Sequence, residues 1–379
     1  MKQNNNTSIM KTLGILFILF VTIISCSKES IPSQPQVLTD EVISALSAIT
    51  DRVFLETSTP ALIASISVDG EPDLIIKRGI GNLTTNEPVN EKNSFRIASI
   101  TKTFAGTAVL ILADEGSIAL DQSISYYLPE YNIPSGNLIT IRMLGNMTSG
   151  LYNYSEDISF WESFREGNYQ KYFPPDSLLA IAFRHPMNFT PGTEYEYCNT
   201  NTVLLGLLLE KVSKKSAYQV IREKVIQPLN LNNTYFGGPF YMYTPYSHGY
   251  VFEDEGLIDA TNWNPSWGYT AGGLISNIED LKKWAPLLAN GALLSEAMKA
   301  ERFKFNNGYG FCIESIRYKN DLWIGHPGSI PGYNTQVWYN RARKITLVVN
   351  SNTDSESPAQ TLLIDFIILL GDLNSHTHS

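Results

Sequence analysis

The stretch FRIASITK, residues 95–102, places Ser99 three positions before Lys102. Apolar residues recur at helical spacing over residues 101–115, which predicts a helix that begins beside the serine. Side chains three residues apart share one face of a helix, so the lysine lies within reach of the serine hydroxyl. If burial lowers its pKa, such a lysine can act as a base toward that hydroxyl. The pattern is weak by itself, because a serine at a helix start is commonly an N-cap.

Two further short patterns follow along the chain. Tyr197 and Asn199 form Tyr-x-Asn just before a strongly apolar run. A tyrosine hydroxyl near a lysine can share its proton and act as a base and then as an acid, while an amide can hold a substrate. His326 and Gly328 form His-x-Gly, and a glycine at the end of a strand lets a substrate lie against the backbone. Neither pattern is specific alone, so their order behind Ser99 carries the information.

Outward from these motifs, strands concentrate at the two ends of the chain. β-rich runs around turn signals predict two hairpins, at residues 60–69 with 73–79 and at residues 335–339 with 344–350. Residues 202–212 are apolar nearly all round, which predicts a buried helix. The part between the hairpins, about residues 120–260, is mostly helical in pattern. We therefore predict an α/β protein of the α+β kind, with a mainly antiparallel sheet flanked by helices and a mostly helical inserted subdomain.

The composition is that of an ordinary globular protein. Of 379 residues, 43% are hydrophobic and 17% are charged, and 28 Lys and Arg against 37 Asp and Glu leave a net charge of -9. That balance argues against nucleic acid as a partner, because there is no cationic excess to release counterions. Three cysteines are too few for a disulfide framework. The histidines lack the spacing of a metal site, so neither a metal nor a cofactor is expected.

Residues 1–25 have the pattern of an export signal. Two lysines precede an apolar run at residues 13–24, which is too short to span a bilayer comfortably. The run ends in Ile-Ile-Ser-Cys, which resembles a bacterial lipobox and makes Cys26 the expected lipid-bearing residue. An uncleaved anchor helix is the alternative, and both would place the body outside the cytoplasm. The expected divisions that follow are a tether at residues 26–40, a folded body at 41–371 and a polar tail at 372–379.

In their order along the chain, the Ser-x-x-Lys, Tyr-x-Asn and His-x-Gly patterns resemble the three-motif active site of the serine β-lactamase and penicillin-binding-protein superfamily. Within it, the chain is similar to the branch of class C β-lactamases and D-alanyl-D-alanine carboxypeptidases, which uses Tyr-x-Asn. The resemblance extends over about residues 41–370 and includes SWGYTAGG at residues 266–273. It implies the three-layer β-lactamase/transpeptidase-like fold and an enzyme that works through a serine acyl-enzyme.

The resemblance also assigns roles to residues of this chain. Ser99 would be the nucleophile, and Lys102 and Tyr197 would handle its proton. The oxyanion would lie between the backbone amides of Ser99 and Ser329. The residues expected to contact the substrate are Asn199, His326, Gly328, Ser329, Trp267 and Tyr269.

Two departures from the family pattern bear on the chemistry. Cys198 stands where a serine is usual and could pair with Cys312, although two buried free thiols are the preferred prediction. His326 stands where most β-lactamases carry a lysine. An unperturbed histidine is mostly neutral at pH 7, so the site would lack one fixed charge for a substrate carboxylate.

These expectations lead to an exported, lipid-anchored serine hydrolase that cleaves an amide or ester bond through Ser99. An enzyme of this kind at the bacterial cell envelope meets peptidoglycan peptides, so a D-alanyl-D-alanine carboxypeptidase or a related D-amino-acid hydrolase is the first choice. A class C-like β-lactamase and a small-ester hydrolase are the alternatives. A penicillin- or peptide-binding module without catalysis is the other class of function, and the intact nucleophile and candidate bases argue against it.

Overall fold

The computed structural model describes residues 36–237, 241–254 and 256–376, with side chains up to residue 373. The predicted export signal, Cys26, residues 26–35 of the predicted tether and the last three residues of the tail lie outside the described residues. In chain order the strands are β1 (Ala61–Val68), β2 (Leu74–Asn82), β3 (Glu87–Pro88), β4 (Phe95–Arg96), β5 (Tyr235–Phe236), β6 (Tyr250–Glu253), β7 (Gly256–Asp259), β8 (Leu274–Ser276), β9 (Tyr309–Gly310), β10 (Ile313–Tyr318), β11 (Asp321–Ile330), β12 (Tyr333–Asn340) and β13 (Ile345–Ser351). The helices are α1 (Asp40–Glu56), α2 (Thr101–Asp114), α3 (Ile124–Tyr127), α4 (Ile141–Gly145), α5 (Ile158–Glu166), α6 (Pro175–Ala182), α7 (Asn199–Ser213), α8 (Ala217–Ile221), α9 (Tyr269–Gly272), α10 (Ile278–Ala289), α11 (Glu296–Arg302) and α12 (Pro358–His376).

The largest sheet formed by the described strands has eight antiparallel strands. Its strand order is β3-β2-β1-β13-β12-β11-β10-β9. Both predicted hairpins are confirmed, since β1 pairs antiparallel with β2 and β12 pairs antiparallel with β13. β1 also pairs with β13, so the two ends of the folded body share one sheet.

Helices cover both faces of the sheet because its central strands are apolar on both sides. Successive side chains of a strand point to opposite faces. On β1, Leu62 and Ile66 pack in a buried cluster with α1 and α12. Ile63 belongs to a larger buried cluster that contains α2, α7 and α10. The predicted three-layer arrangement is therefore confirmed, and α3 to α8 occupy the part expected to be mostly helical.

Two helices that frame the site follow the sequence prediction closely. Helix α2 begins directly after the serine of the first motif, and α7 begins at Asn199 of the second. Both are buried nearly all round, as expected for apolar helices between layers. Within the described ranges, no helix is both long enough and apolar enough to cross a membrane.

Candidate active site

Ser99 lies in a single 3-10 turn, Ala98–Ile100, that runs into α2. The chain arrives from β4, which pairs with β8, and the Ile97 N–H donates to the Leu274 carbonyl. Ala98 has a φ of 47°, in the left-handed region that a residue with a side chain rarely adopts. The backbone therefore turns sharply just before the nucleophile and leaves Ser99 facing a pocket.

Gly328 on β11 packs directly against this turn. A Cβ atom there would lie 2.3 Å from the Ile97 carbonyl oxygen and 3.2 Å from the Ser99 nitrogen. Only a glycine fits such an approach of two backbones. The packing of the two backbones thus requires a glycine at position 328, in addition to the room that a glycine leaves for a substrate.

Lys102 is fully buried beneath Ser99. Its Nζ lies 2.9 Å from Ser99 Oγ and donates to the Ala271 carbonyl oxygen at 2.7 Å. Burial is the main cause that lowers the pKa of Lys102 to about 7, while Cys312 and Glu314 act weakly in the opposite direction. An amine with this pKa is substantially neutral at physiological pH and can accept a proton.

Tyr197 covers the other side of the lysine. Lys102 Nζ lies 4.9 Å from the centroid of the Tyr197 ring. The Tyr197 hydroxyl is buried near the Ser99 hydroxyl and makes no hydrogen bond of standard geometry with a described residue. Burial raises the pKa of Tyr197 well above 10, although the nearby Ser99 hydroxyl lowers it in part. The phenol is therefore protonated and can donate a hydrogen bond, whereas the lysine is the better base.

Asn199 is the first residue of α7, and its neighbours hold it in place. Its Nδ2 donates to Ser155 Oγ at 2.9 Å, and its backbone N–H donates to Asn153 Oδ1 at 3.1 Å. The preceding residue, Cys198, is a buried free thiol whose Sγ donates to the Leu151 carbonyl. The prediction of free thiols is confirmed by the structure for Cys198 and for Cys312.

His326 lies behind the pocket wall and is fully buried. Its Nδ1 donates to the Pro327 carbonyl at 2.6 Å, so Nε2 accepts from the Tyr309 hydroxyl at 3.2 Å. Burial, assisted by Lys102, lowers the pKa of His326 to about 3. The ring is therefore neutral at physiological pH. Pro327, Gly328 and Ser329 line the pocket and the His326 side chain lies behind them, so contact of His326 with substrate stays a prediction.

The pocket beside Ser99 has a volume of about 470 Å³. Its described lining residues are Ser99, Tyr195, Tyr197, Asn199, Asn307, Gly308, Tyr309, Glu314, Ser315, Pro327, Gly328, Ser329, Asn334, Ser357 and Gln360. None of these is a lysine, arginine or histidine, and Glu314 is the one acidic member. Burial raises the pKa of Glu314 to about 7, and Lys102 partly opposes that rise. Tyr195, Tyr309 and Glu314 were missed in the sequence because they belong to no motif.

Two residues expected to wall the cleft lie elsewhere. Trp267 packs among aromatic rings, with centroid distances of 5.8 Å to Phe160 and 5.3 Å to Trp161. Tyr269 has a φ of 37° and its hydroxyl donates to Glu210 Oε1 at 2.8 Å, beside a different pocket. Neither side chain lines the pocket beside Ser99, so the contact of either one with substrate stays a prediction. Their segment serves the site through its backbone, since the Ala271 carbonyl holds Lys102.

The arrangement of a serine, a buried neutral lysine and an unpaired tyrosine hydroxyl can be compared with known proteins. A family model described as "Beta-lactamase" matches residues 40–371. The chain belongs to the beta-lactamase family. This family lies within the β-lactamase and penicillin-binding-protein superfamily.

Individual known proteins are similar to this chain at modest identity. "Protein flp" of Staphylococcus aureus is 24% identical over 305 residues, which are 77% of this chain and 60% of that protein. "Penicillin-binding protein 4*" of Bacillus subtilis is 24% identical over 314 residues, 76% of this chain and 66% of that protein. The crystal structure of a D-stereospecific amidohydrolase from Streptomyces sp. superposes with a TM-score of 0.76 at 29% identity, covering 84% of this chain and 97% of that one. The chain thus spans only about 60% of the length of Protein flp.

Proposed function

We propose that this protein hydrolyses amide bonds through an acyl-enzyme on Ser99, with Lys102 as the base. The observation that carries the proposal is the contact of 2.9 Å between Lys102 Nζ and Ser99 Oγ, in a site where burial lowers the pKa of Lys102 to about 7. A nucleophilic serine needs an adjacent base that is unprotonated at working pH.

The side chains present suffice for a balanced reaction. Ser99 Oγ attacks the substrate carbonyl while its proton moves to Lys102 Nζ. Family resemblance assigns the oxyanion to the backbone amides of Ser99 and Ser329. Tyr197 donates a proton to the leaving amine, and the lysine proton restores the phenol. Water then attacks the acyl ester, releases the carboxylic acid and returns a proton to Ser99 Oγ.

The charge of the pocket bears on which amides are cleaved. β-Lactams and D-Ala-D-Ala termini both carry a carboxylate, which is bound most firmly by a cationic side chain. The described lining offers none, and His326 is neutral and buried. Amides without a carboxylate beside the scissile bond suit this pocket better. The likeness to the D-stereospecific amidohydrolase supports D-configured amino-acid amides, whereas D-alanyl-D-alanine carboxypeptidase, the first choice from sequence, becomes the second candidate.

Two measurements test the proposal. The wild-type protein and the Ser99→Ala variant are first treated with a fluorophosphonate probe, and only the wild type should be labelled. Turnover is then compared on a D-amino-acid amide, a D-Ala-D-Ala peptide, a chromogenic cephalosporin and a nitrophenyl ester. We expect the amide to be the best substrate. Label on Ser99→Ala, or label without turnover of any substrate, would contradict the proposal, and the latter would indicate a binding module.

We also propose that the protein is exported and anchored by a lipid on Cys26. The support is the apolar run at residues 13–24 and the lipobox-like sequence that follows. Radiolabelled palmitate added to cells should be incorporated into the wild type and not into Cys26→Ala. Equal incorporation would contradict the anchor without affecting the hydrolase proposal.

A further inference from the structure

The Glu314 carboxyl is the acidic group of the pocket and has no assigned role in the reaction. We propose that Glu314 binds the free α-ammonium group of the substrate, so that the enzyme selects amides of amino acids or peptides with an unblocked amino end. This inference rests on the proposed amide hydrolase function and names its substrate class more narrowly.

Glu314 and Ser99 open into one pocket. It lies on β10 and lines the same pocket as Ser99, with 27% of its side chain exposed. Neither carboxyl oxygen has a hydrogen bond to any described residue within that pocket. His326 Nε2 lies 3.7 Å from Oε1, which is beyond hydrogen-bond distance. That nitrogen already accepts from the Tyr309 hydroxyl and carries no proton, so it is not a counter-ion.

When Lys102 is neutral, none of the described groups that face Glu314 carries a positive charge. The titratable groups that influence or face it are Lys102, His326, Tyr195, Tyr197 and Tyr309. The tyrosines and the histidine are neutral, and Lys102 must be neutral to act as a base. A largely buried carboxylate without a partner is costly. A substrate ammonium would supply the missing partner, and hydrogen bonds to charged groups are the stronger kind.

The same carboxylate acts against anionic substrates. A substrate carboxylate would share the pocket with Glu314, and like charges in a partly buried site repel each other. A substrate with an ammonium on the acyl side is attracted instead. Glu314 thereby favours substrates with a free ammonium group and disfavours substrates with a carboxylate beside the scissile bond.

The experiment compares two substrates that differ only in the amino group, D-alanine 4-nitroanilide and propionic acid 4-nitroanilide. In the wild type we expect kcat/KM to favour the amine by about 10- to 100-fold, the usual worth of a hydrogen bond to a charged group. Because burial raises the pKa of Glu314 to about 7 and an α-amino group has a pKa near 8, the preference should be largest at about pH 7–8.

Glu314→Gln should remove most of this preference, chiefly through a higher KM for the amine. Glu296→Gln, an exposed glutamate paired with Lys299, is the matched control and should retain it. If the wild type hydrolyses both substrates equally, or if Glu314→Gln lowers both equally, Glu314 is not the ammonium receptor. Failure of the wild type to take the fluorophosphonate label or to hydrolyse either substrate would instead reject the proposed function itself. The wild-type comparison needs no variant, so it holds even if Glu314→Gln does not fold.

Discussion

The pocket beside Ser99 and the pocket beside Tyr269 are similar in size and both contain a glutamate, but the two sites differ in whether buried polar groups have partners. Their volumes are about 470 Å³ and about 400 Å³, and each is lined by tyrosines and one glutamate. Beside Tyr269, the Glu210 carboxylate accepts from the Tyr269 hydroxyl at 2.8 Å and from the Ala217 N–H at 3.0 Å. Beside Ser99, the Tyr197 hydroxyl makes no hydrogen bond of standard geometry with a described residue.

This difference supports a role in substrate binding for the pocket beside Ser99 and a structural role for the pocket beside Tyr269. Buried polar groups in folded proteins are nearly always hydrogen-bonded, because an unpaired one loses its hydration without compensation. A pocket whose polar groups are already paired gains little by binding a polar ligand. A pocket that leaves a phenol and a carboxyl unpaired has groups available for a substrate. Four predictions test the comparison, from the largest expected effect to the smallest.

Replacing the base should have the largest effect. In Lys102→Ala, the rate of acylation by the fluorophosphonate or by an amide substrate should fall by about 10²- to 10⁴-fold, the usual contribution of a general base. Stopped-flow or quenched labelling measures this rate directly. Lys224→Ala removes an exposed lysine that pairs with Glu115 and should acylate at the wild-type rate. A Lys102→Ala rate within a few-fold of wild type would remove the lysine from its role.

The pH dependence of acylation should follow the lysine. Because the pKa of Lys102 is lowered to about 7, its neutral form is lost as pH falls below that value. The rate with a neutral ester should therefore fall about tenfold per pH unit below 7 and level off above it. The neutral His326, with a pKa of about 3, should add no inflection between pH 5 and 9. A profile that is flat across pH 5–7 would contradict the assignment.

Tyr197→Phe should separate activity from stability. Loss of the proton donor should lower kcat on amides by about 10- to 100-fold, whereas an ester with a good leaving group should be affected less. The free energy of unfolding should change little, because the hydroxyl makes no hydrogen bond in the described structure. Urea unfolding measures the second quantity. A loss of stability of several kcal/mol would show that the hydroxyl has a structural partner after all.

Tyr269→Phe should give the opposite result, with the smallest effect on activity. It removes the hydroxyl that donates to Glu210, so the free energy of unfolding should fall by about 1 kcal/mol. The fall stays small because the Ala217 N–H continues to donate to the same carboxylate. Turnover should stay near the wild-type value, since the site uses the Ala271 carbonyl of this segment. A large loss of activity without loss of stability would contradict the structural role of the pocket beside Tyr269.

Much of the site could be predicted because its motifs depend on local geometry. A separation of three residues places Ser99 and Lys102 on one helix face whatever surrounds them. The two hairpins could also be predicted, since alternation and turn residues act over a few positions. The position of the Trp267 and Tyr269 side chains outside the pocket beside Ser99 could not be predicted, because a motif does not show which way a side chain leaves a strained turn. Glu314 was missed because it reaches the pocket only through the pairing of β10 with β11.

The amino-acid sequence by itself determined the two hairpins, the helices that follow the first two motifs, the family and the pairing of Ser99 with Lys102, because these depend on short-range spacing and residue type. The tertiary structure alone decided the charge of the site. Lys102 has a pKa of about 7 only because distant parts of the chain bury it, among them Ala271, 169 positions away. His326 is neutral for the same reason, and Glu314 stays without a partner because the packed neighbours offer none. Desolvation depends on everything that surrounds a group, and no local pattern contains that information.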